Sequence, residues 1–151
     1  MKKFFSKRLK NEKGLTLIEL LAVIVILAII AAIAVPAIGS LIANSKDSAK
    51  LAAASNILAG AKIASTDNAC TETDGNLSCS KTQLAPYVEN VKKTEGGDDP
   101  DYSASRTDGE WTVTYNGLEN FNSKKYKGKV TLSGTSITEA NLNAALNSKN
   151  D

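Results

Sequence analysis

At 151 residues, with 42% hydrophobic and 5% aromatic side chains, the chain is long enough for one modest domain plus an extra element and too short for two full ones. It has no histidine, which excludes Ser-His-Asp and Cys-His catalysis and every histidine-containing zinc site, and its two cysteines cannot build a four-thiolate site. The formal charge of +2 hides an asymmetry: Lys2, Lys3, Lys7, Arg8, Lys10 and Lys13 face Glu12 alone, whereas from Leu15 onward twelve basic and fifteen acidic residues sum to −3, so the bulk of the chain lacks the basic balance of a nucleic-acid binder.

After this basic leader, residues 1–14, comes a long apolar run. Thirty-two residues separate Lys13 from Lys46, and Glu19 is the one ionisable side chain among them; Leu20 to Ile38 are Leu, Ile, Val and Ala with a single proline. About 20 apolar residues at roughly 1.5 Å each cross the hydrocarbon layer of a bilayer. A membrane-spanning helix over 15–43 is therefore expected, with the leader cytoplasmic under the positive-inside rule and the chain beyond Ile38 outside. A removable secretory signal, cut near the small residues Ala32 to Ala37, and a plain single-pass anchor are the competing readings. Against the former stand a run longer than an h-region, a carboxylate near its start, and a helical pattern that continues past it.

Glu19 needs a reason to be there, because a carboxylate within a membrane helix costs roughly 2.5–3.5 kcal/mol near the bilayer centre, and less towards its edge. Were the chain cut after Gly14, Leu15 would carry the new terminal amine, and Glu19, four residues on, would face the same side of the helix. An acid in a first turn is favoured by the helix dipole and a cationic amine is not, so the two offset each other. Between copies displaced along their helix axes, the amine of one and Glu19 of the next would set a stacking register.

The string Lys13-Gly14-Leu15-Thr16-Leu17-Ile18-Glu19-Leu20-Leu21, after a basic leader and before an apolar run, resembles the class III signal of type IV prepilins and pseudopilins. The resemblance covers about residues 8 to 40. It implies that a membrane prepilin peptidase cuts between Gly14 and Leu15 and methylates the amine of Leu15, that Glu19 is the acid guiding assembly, and that an assembly platform protein and a cytoplasmic ATPase build the subunits into a homopolymer. Leu15 stands where many members have Phe, and Ala28 where many have Gly eight positions ahead of the proline. Pro36 removes the hydrogen bond to the Ala32 carbonyl and is expected to kink the helix.

From Asn44 the pattern turns amphipathic: Leu51, Ala54, Leu58 and Ala61, with Ile57 and Ala64, recur at three- and four-residue spacing, while Lys46, Asp47, Lys50 and Lys62 occupy other positions. A helix from Leu15 to about Thr66 would be roughly 78 Å long, more than one small domain covers, which is a physical case for lipid or copies of itself around the remainder. The exported domain is expected over 44–151, with this amphipathic half as its first element.

Thr66 to Ser80 is polar and turn-forming, with Asp74-Gly75 at the tip; folding back there would bring Cys70 and Cys79 together as a disulfide in an oxidising compartment. Ser80-Lys-Thr-Gln83 fits a capping box for a short helix through Leu84 and Tyr87. Gly96 to Asp101 reads as a solvated loop whose oxygens lack the spacing of an EF-hand calcium site, so no metal or other cofactor is expected. Trp111 to Tyr115 alternates as a strand, Asn116-Gly117 predicts a hairpin returning through Leu118 to Phe121, and Lys127 to Leu132 reads as a further strand. Ser136 to Thr138 is either a short fourth strand or, with Glu139, the cap of a helix through Leu142 and Leu146.

The fold class expected is α+β: a long N-terminal helix, half membrane-spanning and half amphipathic, packed on a small antiparallel sheet as in pilins. The function expected is a non-catalytic subunit of an extracellular filament, held in the cell membrane before assembly. The alternatives are a competence or type II secretion pseudopilin, and a minor pilin binding DNA or a surface ligand at a filament tip. For the last, Lys124, Lys125, Tyr126, Lys127 and Lys129 are the candidate patch, although lysines also protect exposed sheet edges. An enzyme is not expected, since no nucleophile has a base at readable spacing and no phosphate-cradling loop is present.

Overall fold

The computed structural model describes residues 12–89, 91, 99–119, 121–123 and 125–148, with side chains from residue 17 onward. Most of the basic leader, Gly96 to Asp98 of the expected polar loop, and Lys124 lie outside these residues. The described residues divide into two units, one up to Leu41 and one from Ile42.

Helix α1 runs from Glu12 to Thr66 with Pro36 inside it. In the first unit its large apolar side chains from Leu17 to Leu41 are exposed. In the second unit the three- and four-residue spacing does what it predicts: Leu51, Ala54, Ile57, Leu58, Ala61 and Ala64 are all buried.

They share a core with one face of a five-stranded antiparallel sheet, a meander in the order β1 (Thr71–Thr73), β2 (Asn76–Cys79), β3 (Tyr102–Thr107), β4 (Glu110–Tyr115) and β5 (Ser136–Thr138). Because strand side chains alternate, register decides which residues meet the helix. Cys79, Ala104, Val113 and Ile137 pair in one row across four strands, and none is more than 2% exposed. Tyr102 and Tyr115 form the next buried pair. The opposite face is mostly short hydroxyls: Thr71, Ser78, Ser105, Thr112 and Thr138 form one row, and Ser103, Thr114 and Ser136 another, with the pairs Thr73–Asn76 and Thr107–Glu110 beside the two turns.

Helix α2 (Lys81–Leu84) starts as its capping box predicts, the Ser80 amide donating to Gln83 Oε1 at 2.8 Å. At the C-terminal end both readings of the sequence hold in succession: Ser136–Thr138 is strand β5, and Glu139–Asn147 is helix α3, capped by Thr138, whose Oγ1 accepts the Asn141 amide at 3.3 Å.

Two strand expectations fail. Asn116-Gly117 is not a hairpin, and the described residues of the expected return strand, Leu118, Glu119 and Phe121, form no strand; the chain enters a 3-10 turn over Asn116–Leu118 that buries Leu118 completely. The Asn116 side chain is committed elsewhere, its Oδ1 accepting the Asp101 amide at 3.0 Å and its Nδ2 donating to the Asp99 carbonyl at 3.3 Å. The partner of β4 is instead β3, joined by Asp108-Gly109, and Asp74-Gly75 joins β1 to β2 in the same manner. In both turns the two central residues have positive φ (51° and 87°; 51° and 80°), as a two-residue turn of the kind matching strand twist requires. Lys127 to Leu132 is likewise not a strand: the amides of Lys129 and Val130 turn back to the Tyr126 carbonyl.

Candidate membrane and assembly site

The site expected from the sequence is Gly14, Leu15 and Glu19 on the first turns of α1, followed by apolar residues. All three lie within α1, and the Glu19 side chain is exposed amid Leu17 (70% exposed), Ile18, Leu20 and Leu21. By length and composition α1 is long and apolar enough to cross a membrane. With 3.6 residues per turn, Leu15 and Glu19 are one turn apart on one face, about 6 Å along the axis. An apolar surface of this extent is not stable against water; it demands lipid or protein. Glu19 is the one ionisable side chain within it, and a charge in such a setting is costly unless it is paired.

The sequence-predicted disulfide is present. Cys70 and Cys79 are bonded, their Cα atoms 4.6 Å apart, one position beyond the Thr71–Ser78 pair of the β1–β2 hairpin. The register of that hairpin, set by the Asp74-Gly75 turn, is what aligns them.

The candidate ligand-binding patch fares differently. Lys127 and Lys129 are exposed, but Tyr126 is 2% exposed, with its hydroxyl 3.0 Å from Ser48 Oγ of α1, so its ring belongs to the core and offers no stacking face. Lys125 lies over that ring, its Nζ 5.3 Å from the centroid. Nor do these lysines guard a sheet edge, since the segment is a series of turns. Among the described residues, no group of three or more His, Cys, Asp or Glu side chains stands where it would hold a metal ion.

The residue that sequence reasoning missed is Asp47. Grouped with the polar side chains of α1, it is 1% exposed. Its Oδ2 accepts the backbone amides of Asn122 at 3.0 Å and Ser123 at 2.7 Å, and Lys50 Nζ lies 3.6 Å from its Oδ1. Lys50 also donates to the Glu119 carbonyl at 3.0 Å and lies over the Phe121 ring. One helical turn thus holds the irregular segment after β4. The available signal was an acid three residues before a lysine beside the buried stripe, which equally describes a solvated ion pair.

Residues 9–35 match the family model described as the prokaryotic N-terminal methylation motif. No curated protein and no solved structure gives a significant match to the chain. The matched stretch contains Gly14, Leu15 and Glu19 and most of the exposed apolar helix; it is the class III signal peptide found in type IV pilins and pseudopilins, and it is the feature by which the chain is similar to those proteins.

Proposed function

We propose that the chain is a structural subunit of a type IV pilus, made as a membrane-held precursor, cut between Gly14 and Leu15, methylated on the Leu15 amine and polymerised through α1. The observation that carries this reading is the lone carboxylate of Glu19 in an apolar, exposed helix that bears the methylation motif. Methylation keeps the amine cationic. Glu19 of one copy then pairs with the terminal amine of a neighbour in a low-dielectric setting, where such a pair is worth far more than in water. The apolar faces supply non-directional packing, and the charge pair supplies the register that packing alone leaves undefined.

In this scheme a prepilin peptidase processes the precursor, and an assembly platform with its ATPase extracts it from the cell membrane into an extracellular filament. The disulfide-closed hairpin and the ordinary pilin size of the exported domain, residues 44–151, favour a pilus subunit over a competence or secretion pseudopilin. Intact-mass spectrometry of the protein recovered from producing cells tests the reading. The expected species starts at Leu15 and is about 14 Da heavier than the unmodified chain for one methyl group; a species starting near Gly39 identifies an ordinary signal peptide instead.

A further inference from the structure

Asn76-Leu77-Ser78 is an Asn-x-Ser acceptor sequence, and of the thirteen asparagines in the chain Asn76 is the only one followed two residues later by Ser or Thr. A match of this kind is weak until the structure places it. Here Asn76 opens strand β2 directly after the Asp74-Gly75 turn, and the burial pattern of β2 runs exposed, half-buried, exposed, buried. Strand alternation therefore splits the triplet: Leu77 turns towards the core, while Asn76 and Ser78, the two residues that an acceptor must present, lie on the same solvent face.

The surroundings are open. A Cβ placed on Gly75 would meet nothing within 4 Å. The side chains flanking the triplet on that face are Thr73, paired with Asn76, Thr71, paired with Ser78, and Ser105 on the next strand, all short and uncharged. A sugar on Asn76 would rest over this hydroxyl face and displace no packed side chain. The Cys70–Cys79 bond closes the hairpin behind it, holding the tip in one conformation.

From this placement we infer that Asn76 is an N-glycosylation site, its donor a lipid-pyrophosphate-linked oligosaccharide. In the transfer, Asn76 Nδ2 forms a bond to the anomeric carbon of the sugar. The bond from that carbon to the pyrophosphate oxygen breaks, the lipid pyrophosphate leaves with the electron pair, and one amide proton passes to a base of the transferase. No oxidant or reductant is needed. The inference rests on the exported placement of the domain, since such a donor is used on the far side of the membrane.

The test is peptide mapping of the full-length protein from producing cells, where trypsin releases Ile63–Lys81 after reduction. The expected result is a glycan mass on that peptide, localised to Asn76, lost in Asn76→Gln and in Ser78→Ala and kept in Ser78→Thr. A bare Ile63–Lys81 peptide, a glycan on a hydroxyl, or a glycan that survives Asn76→Gln overturns the inference. The same digest reports the N-terminal peptide: a methylated Leu15 start with a bare Asn76 sinks glycosylation alone, and a glycosylated Asn76 on a chain lacking that start sinks the pilus reading alone.

Discussion

The carboxylate of Asp47 accepts the Ser123 amide at 2.7 Å from a position 76 residues earlier in the chain, and it is among the most deeply buried side chains described. This contact joins α1 to a segment with no regular structure of its own, and the adjacent Asn122 amide adds a second bond to the same oxygen. Asp47→Ala should leave both amides unpaired and destabilise the chain by about 2–3 kcal/mol. Urea unfolding measures the loss, and faster hydrogen exchange at Asn122 and Ser123 locates it; unchanged exchange there would show that the loop is held by something else.

Gly60 is buried in α1 where the chain after α2 crosses it. A Cβ there would lie 2.9 Å from the Tyr87 carbonyl oxygen and collide with the Val88 side chain. Gly60→Ala, which in an exposed helix would help by about 1 kcal/mol, should here cost about 1–3 kcal/mol through overpacking. A rise in melting temperature would mean that residues 87 and 88 shift freely.

Cys70→Ser with Cys79→Ser should lower stability by about 2.5–3 kcal/mol if the bridge acts by restricting the unfolded chain. The β1–β2 hairpin should exchange its amides faster than β3 and β4, because it sits at the sheet edge and has least buried apolar surface. Equal protection across all five strands would contradict this.

Glu19→Ala should insert into the membrane as well as the parent, since it removes the one insertion-opposing charge of the apolar run, yet yield few or no filaments. Counting sheared filaments against total membrane-held subunit gives the readout. Filament yield equal to the parent would remove Glu19 from the assembly mechanism.

Burial of the Tyr115 hydroxyl raises its pKa above the ordinary 10.0. Tyr87 is raised as well, first by a hydrogen bond to Asp67, then by desolvation and by the Asp67 charge. Above pH 10 the unfolded chain therefore releases these protons before the folded chain does, the folded state holds more protons, and stability falls as pH rises. Tyr115→Phe should flatten the decline in melting temperature above pH 10, with little change in slope between pH 6 and 9; an unaltered slope above pH 10 would show that Tyr115 contributes nothing to it.

Features set by short-range periodicity are legible in the amino-acid sequence alone. The stripe from Leu51 to Ala64, the strand Trp111 to Tyr115, the capping box at Ser80 and the turn at Asp74-Gly75 all follow from spacing or local turn chemistry, and all are present. The expectations that fail are those where two local signals compete. Asn116-Gly117 and Asp108-Gly109 both suit a tight hairpin, and the second prevails because Tyr102 to Thr107 supplies a partner whose alternate residues Tyr102 and Ala104 enter the core. Residues 127 to 132 resemble a strand by composition, but Tyr126 inserts into the core and the chain turns around it.

The sequence by itself determined the apolar helix with its single carboxylate, the methylation motif, the buried stripe and the pairing of the only two cysteines. Each depends on residues at most a few turns or one hairpin apart, so local spacing is enough to specify it. Only the tertiary structure decided that Asp47 is buried, that Tyr126 is core, and that Asn76 and Ser78 share an open sheet face. Those facts depend on which distant segment supplies a hydrogen bond or covers a ring, and the gain from such long-range contacts arises only once the whole domain has formed.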